Sequence, residues 1–192
     1  MFTLLTVALL AAAPLDFSLV DTAGQRHTAA EWTQARAIVL FFVGVDCPLS
    51  NEYAPEMNRL AAEYASRGVR VYAVASDTTA VFGDVDAVRR YATEFSLRMP
   101  VLLDPHGVLA EHAGATVTPE AAVLSASGVV LYHGRIDNRV EELGTHRPAP
   151  TRFDLREALD AVLAGKPVPH AMTKAVGCFL PSRSHTRTEQ QP

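Results

Sequence analysis

Two cysteine residues, Cys47 and Cys178, supply the only thiol groups of this 192-residue chain. Cys47 follows an apolar run at residues 37–43 that is typical of a buried strand, and it precedes Pro48, where helical spacing of apolar residues begins. Proline is favoured at the first position of a helix, so this pattern places the thiol at a helix N-terminus. Free N–H groups and the positive end of the helix dipole stabilise a thiolate there. We therefore predict that Cys47 is a reactive nucleophile, which requires that its sulfur reach solvent.

Cys178 lies far along the chain, in a proline-bearing segment at residues 166–181 that has no clear hydrophobic period. In one hypothesis the segment folds back over the domain, and Cys178 resolves an oxidised or mixed-disulfide Cys47 by thiol–disulfide exchange. In the other, Cys178 is a small apolar residue packed beneath the segment, as free cysteines commonly are. A disulfide between Cys47 and Cys178 distinguishes the two hypotheses.

A second polar cluster follows the last strand that the sequence predicts. Arg135, Asp137 and Arg139 alternate along the chain and share one face if that strand continues. An arginine near Cys47 would stabilise its anion, but arginine and aspartate at a strand end more often pair with each other at the surface. We favour the surface pairing and keep substrate binding by Arg135 and Arg139 as the alternative.

The sequence predicts neither a metal site nor a cofactor site. The seven histidines are scattered, with no pair at the short spacing of a zinc motif and no cysteine pair beside them. The glycine-rich patterns that cradle a phosphate or a dinucleotide are also missing. A net charge of -4 without a basic cluster gives no reason to expect a nucleic-acid partner.

The elements that must position these residues alternate between strand and helix. The predicted strands lie within residues 15–25, 37–43, 69–77 and 100–104 and in a hairpin at 120–135, and the predicted helices lie at 48–67, 83–95 and 154–165. Strand–helix alternation predicts parallel strands with helices on their faces, and the hairpin adds antiparallel strands. The fold class is therefore α/β, with a central mixed β-sheet flanked by helices, in one domain at residues 14–165.

Both ends of the chain carry segments outside this domain. Residues 1–13 are apolar and end in three alanines, which is typical of a signal-peptidase site, although the segment is short and has no Lys or Arg. It is too short to span a bilayer, and a misplaced start codon or a hydrophobic first strand is the alternative. We favour a signal peptide and a periplasmic or secreted protein. Residues 182–192 have no apolar content and are predicted to be disordered.

The order of several short motifs resembles a known superfamily. A strand followed by Cys-Pro-Leu-Ser, with Pro55 inside the next helix and Thr118-Pro119 before a later strand, looks like the thioredoxin-like superfamily. More narrowly, the resemblance is to bacterial redoxins, which are grouped with the alkyl hydroperoxide reductase and thiol-specific antioxidant family, in the segments FSLVDTAGQ, CPLSNEYAPEMNRLAAEY, GRIDNR and LAGKPVPHAMTKAVGC. It covers residues 15–180. The resemblance implies a thioredoxin-like fold, an attacking thiol at Cys47, and a cis-proline at Pro119 facing that thiol.

Three positions depart from the pattern of that family. Ser50 replaces the second cysteine of the family's Cys-x-x-Cys, so its hydroxyl can hydrogen-bond the thiolate but cannot close a disulfide. Asp46 stands where an aromatic residue is often found, and an adjacent carboxylate opposes thiolate formation. Gly44 stands where peroxiredoxins place Thr or Ser to hold the peroxide, which disfavours peroxidase activity.

These observations together predict a thiol–disulfide oxidoreductase. Cys47 is the nucleophile, Ser50 donates a hydrogen bond to it, Thr118 and Pro119 shape the substrate groove, and Cys178 resolves the intermediate. The partners are protein thiols or disulfides or a small oxidant, together with an external reductant, and no cofactor is expected. One alternative is a thiol-dependent peroxidase that forms a sulfenic acid on the attacking thiol. The other is a binding module in which the thiol is incidental.

Overall fold

The computed structural model of the chain describes residues 15–76 and 84–181. The predicted signal peptide at 1–13 and the predicted disordered tail at 182–192 both lie outside these residues. Within the two described segments, no helix is long and apolar enough to cross a membrane.

A seven-stranded mixed sheet forms the centre of the molecule. Its strands are β1 (Ser18–Asp21), β2 (Arg26–Thr28), β3 (Ala37–Val43), β4 (Val69–Ala75), β5 (Val101–Leu103), β7 (Glu120–Leu124) and β8 (Val130–Gly134). They lie in the order β2-β1-β5-β4-β3-β7-β8. The β3–β4 and β4–β5 pairs are parallel and the remaining pairs are antiparallel. This arrangement confirms the predicted α/β fold with a mixed central sheet.

Alternation of side chains along β3 divides the core into two layers. The flanking helices are α1 (Pro48–Ala65), α2 (Val85–Glu94), α3 (Val108–Ala113) and α4 (Asp154–Leu163). Every residue of β3 is buried, because both faces of this central strand are covered. Val39 and Phe41 pack into the layer that contains Cys47 and residues of α1, α2 and α4. Leu40 and Phe42 pack into the opposite layer, which contains residues of α3.

Of the four α-helices within residues 15–76 and 84–181, three lie where the sequence predicted them, and α3 was not predicted. This helix has only six residues, too few for a hydrophobic period to show. Asp104, which is fully buried, holds its N-terminus by accepting hydrogen bonds from the amides of Val108 at 2.7 Å and Leu109 at 3.0 Å. The signal for this helix in the sequence was therefore Asp104, which precedes its first residue by four positions.

Two small sheets lie outside the central one. One joins β9 (Val140–Glu142) to β10 (Thr145–His146), and the other joins β6 (Val117–Thr118) to β11 (Cys178–Phe179). In the second sheet Cys178 lies directly opposite Thr118 in an antiparallel pair. Residues 166–181, which were expected to be irregular, therefore fold back and contribute a strand. That strand brings the second cysteine to the residue just before Pro119.

Candidate active site

Cys47 occupies the N-cap position of α1, as the sequence predicted. Its backbone is extended, with φ of -93° and ψ of 108°, and Pro48 is the first helical residue. The turn from β3 is closed by a hydrogen bond of 3.2 Å from the Cys47 amide to the Gly44 carbonyl. The thiol therefore stands at the end of a buried strand, beside the free amides of the first helical turn.

The peptide bond between Thr118 and Pro119 is cis. The Thr118 carbonyl group of this bond faces the Cys47 thiol. The Cys47 Sγ–H donates a hydrogen bond of 3.0 Å to the Thr118 carbonyl oxygen. A Cβ atom on Gly44 would lie 2.9 Å from Thr118 Oγ1 and 3.2 Å from the Cys47 Cβ. At position 44, where a peroxiredoxin has Thr or Ser, a side chain would therefore meet Thr118. Glycine is the residue that fits there.

Cys178 reaches the same place from the C-terminal side. It pairs with Thr118 across β6 and β11, and its thiol is close enough to that of Cys47 for each to shift the pKa of the other. Gly177 permits this approach, because a Cβ atom there would lie 2.2 Å from the Thr118 carbonyl oxygen. Both cysteines are free thiols in this structure. The two thiols are therefore adjacent in space although distant in sequence.

The surroundings shift the pKa values of the two thiols in opposite directions. Burial alone would raise the pKa of Cys47, but hydrogen bonds from the Cys178 thiol, the Thr118 hydroxyl and the amides of Ser50 and Cys178 outweigh it. The pKa of Cys47 therefore lies below its ordinary value. Burial and the neighbouring Cys47 anion raise the pKa of Cys178 to about 11. Cys47 ionises first, and Cys178 stays protonated and donates to it.

A match to a family of known proteins covers most of the chain. A family model described as Redoxin matches residues 11–146. The chain belongs to the Redoxin family. The matched region of this redoxin ends well before Cys178, so the second thiol lies outside the part that the family model describes.

Individual relatives agree with this assignment. The thiol-disulfide oxidoreductase ResA of Bacillus thuringiensis subsp. konkukian is 23% identical over 128 residues, covering 67% of this redoxin and 70% of ResA. The hypothetical protein SMc02350 of Sinorhizobium meliloti 1021 has a TM-score of 0.75 and 27% identity, over 91% of this chain and 95% of that one. A secreted Mycobacterium tuberculosis disulfide oxidoreductase homologous to DsbE has a TM-score of 0.52 and 21% identity, over 79% and 96%. These comparisons confirm the thioredoxin-like fold and the resemblance to redoxins.

We expected the Cys47 sulfur to reach solvent, and for this conformation of the redoxin that expectation is wrong. Its exposed fraction is 2%. The reason is that the C-terminal extension packs against the cis-proline loop and sets Cys178 beside the sulfur, a long-range contact that the local pattern does not encode. Polar groups nevertheless adjoin the sulfur, namely the Thr118 carbonyl that accepts its hydrogen bond and the donors that lower its pKa. Cys47 thus combines a lowered pKa with a position that is closed to solvent in this structure.

Ser50 contributes to the site through both its side chain and its backbone. Ser50 is fully buried, and its hydroxyl oxygen accepts a hydrogen bond of 3.2 Å from the Gly44 amide, which fixes the turn that leads into α1. Its backbone amide helps to stabilise the Cys47 anion at the helix N-terminus. Donation from the Ser50 hydroxyl to the thiolate stays a prediction.

The arginines near the end of β8 have partners other than those we favoured. The Arg135 Nε donates to Asp154 Oδ2 at 2.8 Å, and the Asp154 carboxylate is almost fully buried. The Arg139 guanidinium lies 3.4 Å from Glu52 and over the ring of Tyr53, at 4.6 Å from its centroid. Each arginine thus pairs with an acid on a neighbouring helix. Substrate binding by these two arginines stays a prediction.

Asp137, the third member of that cluster, is buried and belongs to the packing of α1. Its carboxylate accepts hydrogen bonds from the Tyr53 hydroxyl at 2.6 Å and from the Arg139 amide at 2.9 Å. Asp137 therefore does not form the surface pair with Arg135 or Arg139 that we favoured. Its contacts hold the loop after β8 against the helix that begins at Cys47.

Two residues near the thiol pair were missed as part of the site. Nothing in the sequence indicated a role for Gly177 other than its position next to Cys178. Tyr91, a core residue of α2, is 4% exposed, and its hydroxyl has no hydrogen-bond partner among the described residues. Burial and the negative charge of the Cys47 thiolate raise the pKa of Tyr91, which places this hydroxyl in the electrostatic environment of the sulfur. Among the described residues, no group of three His, Cys, Asp or Glu side chains could hold a metal ion.

Proposed function

We propose that this redoxin is a thiol–disulfide oxidoreductase whose redox pair is formed by Cys47 and Cys178. The observation that carries the proposal is the second thiol that β11 places beside Cys47, opposite Thr118. Ser50 prevents a local disulfide at the helix start, and Cys178 provides a partner from the C-terminal extension instead. The ResA relative is named for the same reaction class.

The reaction begins at the Cys47 thiolate. Its sulfur attacks one sulfur of a substrate disulfide, which breaks the substrate S–S bond, forms a mixed disulfide and releases the first substrate thiolate. Cys178 then gives up its proton and attacks the Cys47 sulfur, which forms the Cys47–Cys178 disulfide and releases the second substrate thiolate. Two electrons have passed from the thiol pair to the substrate. An external dithiol restores the pair by the reverse exchange.

The hydrogen bonds around Cys47 serve both steps. The amide of Ser50 and the hydroxyl of Thr118 favour the anion before attack, and they favour Cys47 as the leaving group when the dithiol reductant returns electrons. The cis Thr118–Pro119 bond presents the Thr118 carbonyl to the sulfur and thereby shapes the groove in which the substrate lies. The substrates are protein disulfides or small disulfides, and the site of action is outside the cytoplasm. The apolar, alanine-ending segment at 1–13 and the secreted Mycobacterium tuberculosis neighbour support that location.

Reduction of hydroxyethyl disulfide with dithiothreitol as electron donor tests the proposal. The parent protein is expected to catalyse many turnovers, and Cys47→Ser is expected to show none. Cys178→Ala retains the nucleophile, and when it is treated with hydroxyethyl disulfide without dithiothreitol it is expected to stop after forming one equivalent of mixed disulfide at Cys47, detectable as an added mass. Equal turnover by the parent and Cys47→Ser would contradict the proposal, as would release of both substrate thiols by Cys178→Ala in the absence of dithiothreitol.

Peroxide reduction and simple binding receive less support from the site. Position 44 is a glycine and therefore carries no hydroxyl to hold a peroxide. A thiol that is incidental to binding needs no donors, whereas Cys47 has several. Peroxide consumption with a thiol donor is therefore expected to be equal for the parent and Cys47→Ser.

A further inference from the structure

The C-terminal extension is attached to the domain at two places that differ in construction. We name residues 171–180 the strap. Its first attachment is to β8, where the His133 amide donates to the Ala171 carbonyl at 3.0 Å and the Thr173 amide donates to the His133 carbonyl at 3.1 Å. The Thr173 side chain adds a hydrogen bond of 2.7 Å with the Tyr132 hydroxyl and accepts one of 3.1 Å from the Arg135 amide. Backbone and side-chain hydrogen bonds of Ala171 and Thr173 together hold this end of the strap against β8.

The second attachment, over Cys47, is slighter. Its backbone hydrogen bonds are those of the two-residue pairing of β11 with β6 and one of 2.9 Å from the Leu180 amide to the Thr116 carbonyl, and the half-buried side chains of Val176, Cys178 and Leu180 pack against the core. The side chain of Phe179 is 87% exposed, so it contributes little packing. A two-stranded pairing of this length is marginal by itself. The contact also depends on Gly177, where any side chain would meet the Thr118 carbonyl.

We propose that the strap is a hinged cover, in which residues 174–180 lift from β6 while Ala171 and Thr173 stay bound to β8, and that this lifting admits substrates to Cys47. The inference rests on the proposed function, because a cover matters only if Cys47 reacts. It follows from the burial of Cys47 together with the contrast between the two attachments. The lifted position exposes the sulfur, and the seated position returns Cys178 to it.

The lifted and seated positions of the strap serve different steps of the reaction. Attack on the substrate requires the lifted strap, and resolution by Cys178 requires the seated one. Lifting also removes the hydrogen bonds that the thiol and amide of Cys178 give to Cys47, so the exposed thiolate is more nucleophilic than the covered one. Seating the strap then stabilises Cys47 as a leaving group. The cover thereby keeps the sulfur from reacting with oxidants when no substrate is present.

Alkylation of Cys47 by iodoacetamide measures the lifting. All proteins carry Cys178→Ser so that one thiol reacts, and rates are compared at a pH where the rate no longer rises, so that only access differs. Adding Gly177→Ala, whose Cβ would meet the Thr118 carbonyl, is expected to raise the rate about two- to tenfold, since the net contribution of one hydrogen bond corresponds to that range. Leu180→Pro, which removes the amide donor to Thr116, is expected to do the same. Phe179→Ala is the matched control in the same strand and is expected to leave the rate unchanged.

Thermal unfolding of each variant shows that the domain remains folded. Unchanged alkylation rates in folded Gly177→Ala and Leu180→Pro would overturn the inference. Hydrogen exchange of the unsubstituted reduced protein gives a second measurement that needs no variant. The Leu180 amide is expected to exchange about tenfold or more faster than the Thr173 amide, and equal protection would overturn the hinge. Neither readout depends on turnover. If the proposed function fails in the hydroxyethyl disulfide assay, the alkylation rates and hydrogen exchange still report separately whether the strap lifts.

Discussion

Replacing Cys178 by alanine removes the S–H group that donates to the Cys47 thiolate, whereas serine at the same position keeps a hydroxyl donor there. A hydrogen bond to a charged acceptor contributes about 1.5–3 kcal/mol, and a thiol is a weak donor, so the lower end of that range applies. About 1.4 kcal/mol corresponds to a factor of ten in an equilibrium constant. The acid dissociation constant of Cys47 is therefore expected to fall about tenfold in Cys178→Ala and to stay close to that of the parent in Cys178→Ser.

The assay is the pH dependence of iodoacetamide alkylation, read by mass spectrometry on the peptide that contains Cys47. In the parent the pKa of Cys47 is held below the ordinary thiol value of about 8.5, so its alkylation rate falls only as the pH drops through that lowered pKa. The curve of Cys178→Ala is expected to lie at higher pH than the curves of the parent and Cys178→Ser. Coincident curves for the parent and Cys178→Ala would refute the reasoning, because Cys178 would then contribute nothing to the anion.

Two other sites give predictions of different kinds. Gly44→Ala is expected to destabilise the fold by about 1–3 kcal/mol in urea unfolding, because its Cβ would lie 2.9 Å from Thr118 Oγ1. The cost should be smaller when the same change is made in Thr118→Ala, and equal costs in both backgrounds would contradict this cause. The buried ring of His27 lies 3.0 Å from both Asp21 and Glu31, and despite burial these acids raise the pKa of His27. Because a raised pKa stabilises the fold at low pH, the stability lost in His27→Gln, about 2 kcal/mol, is expected to be largest below pH about 6.5. The loss should shrink as the pH rises through the raised pKa of His27, and a loss independent of pH would show that the charge of the ring is not responsible.

The parts of the fold that the sequence predicts are those with a local pattern. The uninterrupted apolar run at 37–43 indicates a strand covered on both faces, and β3 is buried at every residue. The helix from Pro48 shows a clear period because one of its faces packs on the sheet along its whole length. The short elements α3, β9 and β10 have too few residues to show such a period, even though α3 buries Leu109, Ala110 and Ala113 in the core.

The candidate site divides in the same way between local and long-range features. The position of Cys47 at a helix start could be read from Pro48 and the strand before it, because capping is local. The proximity of Cys178 could not, since it results from the pairing of β11 with β6, which lie far apart in the sequence. Ser50 illustrates a third case, in which the residue was predicted to lie at the site, but the contacts of its oxygen with the Gly44 amide and of its own amide with the anion were not.

The claim that Cys47 and Cys178 form one redox pair is tested most directly by mapping disulfides after a single turnover. The reduced protein is treated with one equivalent of hydroxyethyl disulfide and digested without reductant, and its peptides are identified by mass. The account predicts a Cys47–Cys178 linkage in proportion to the substrate reduced, with both halves of the substrate released as thiols. Reduction of the substrate with both cysteines left free, or with Cys47 remaining in a mixed disulfide in the parent protein, would contradict it.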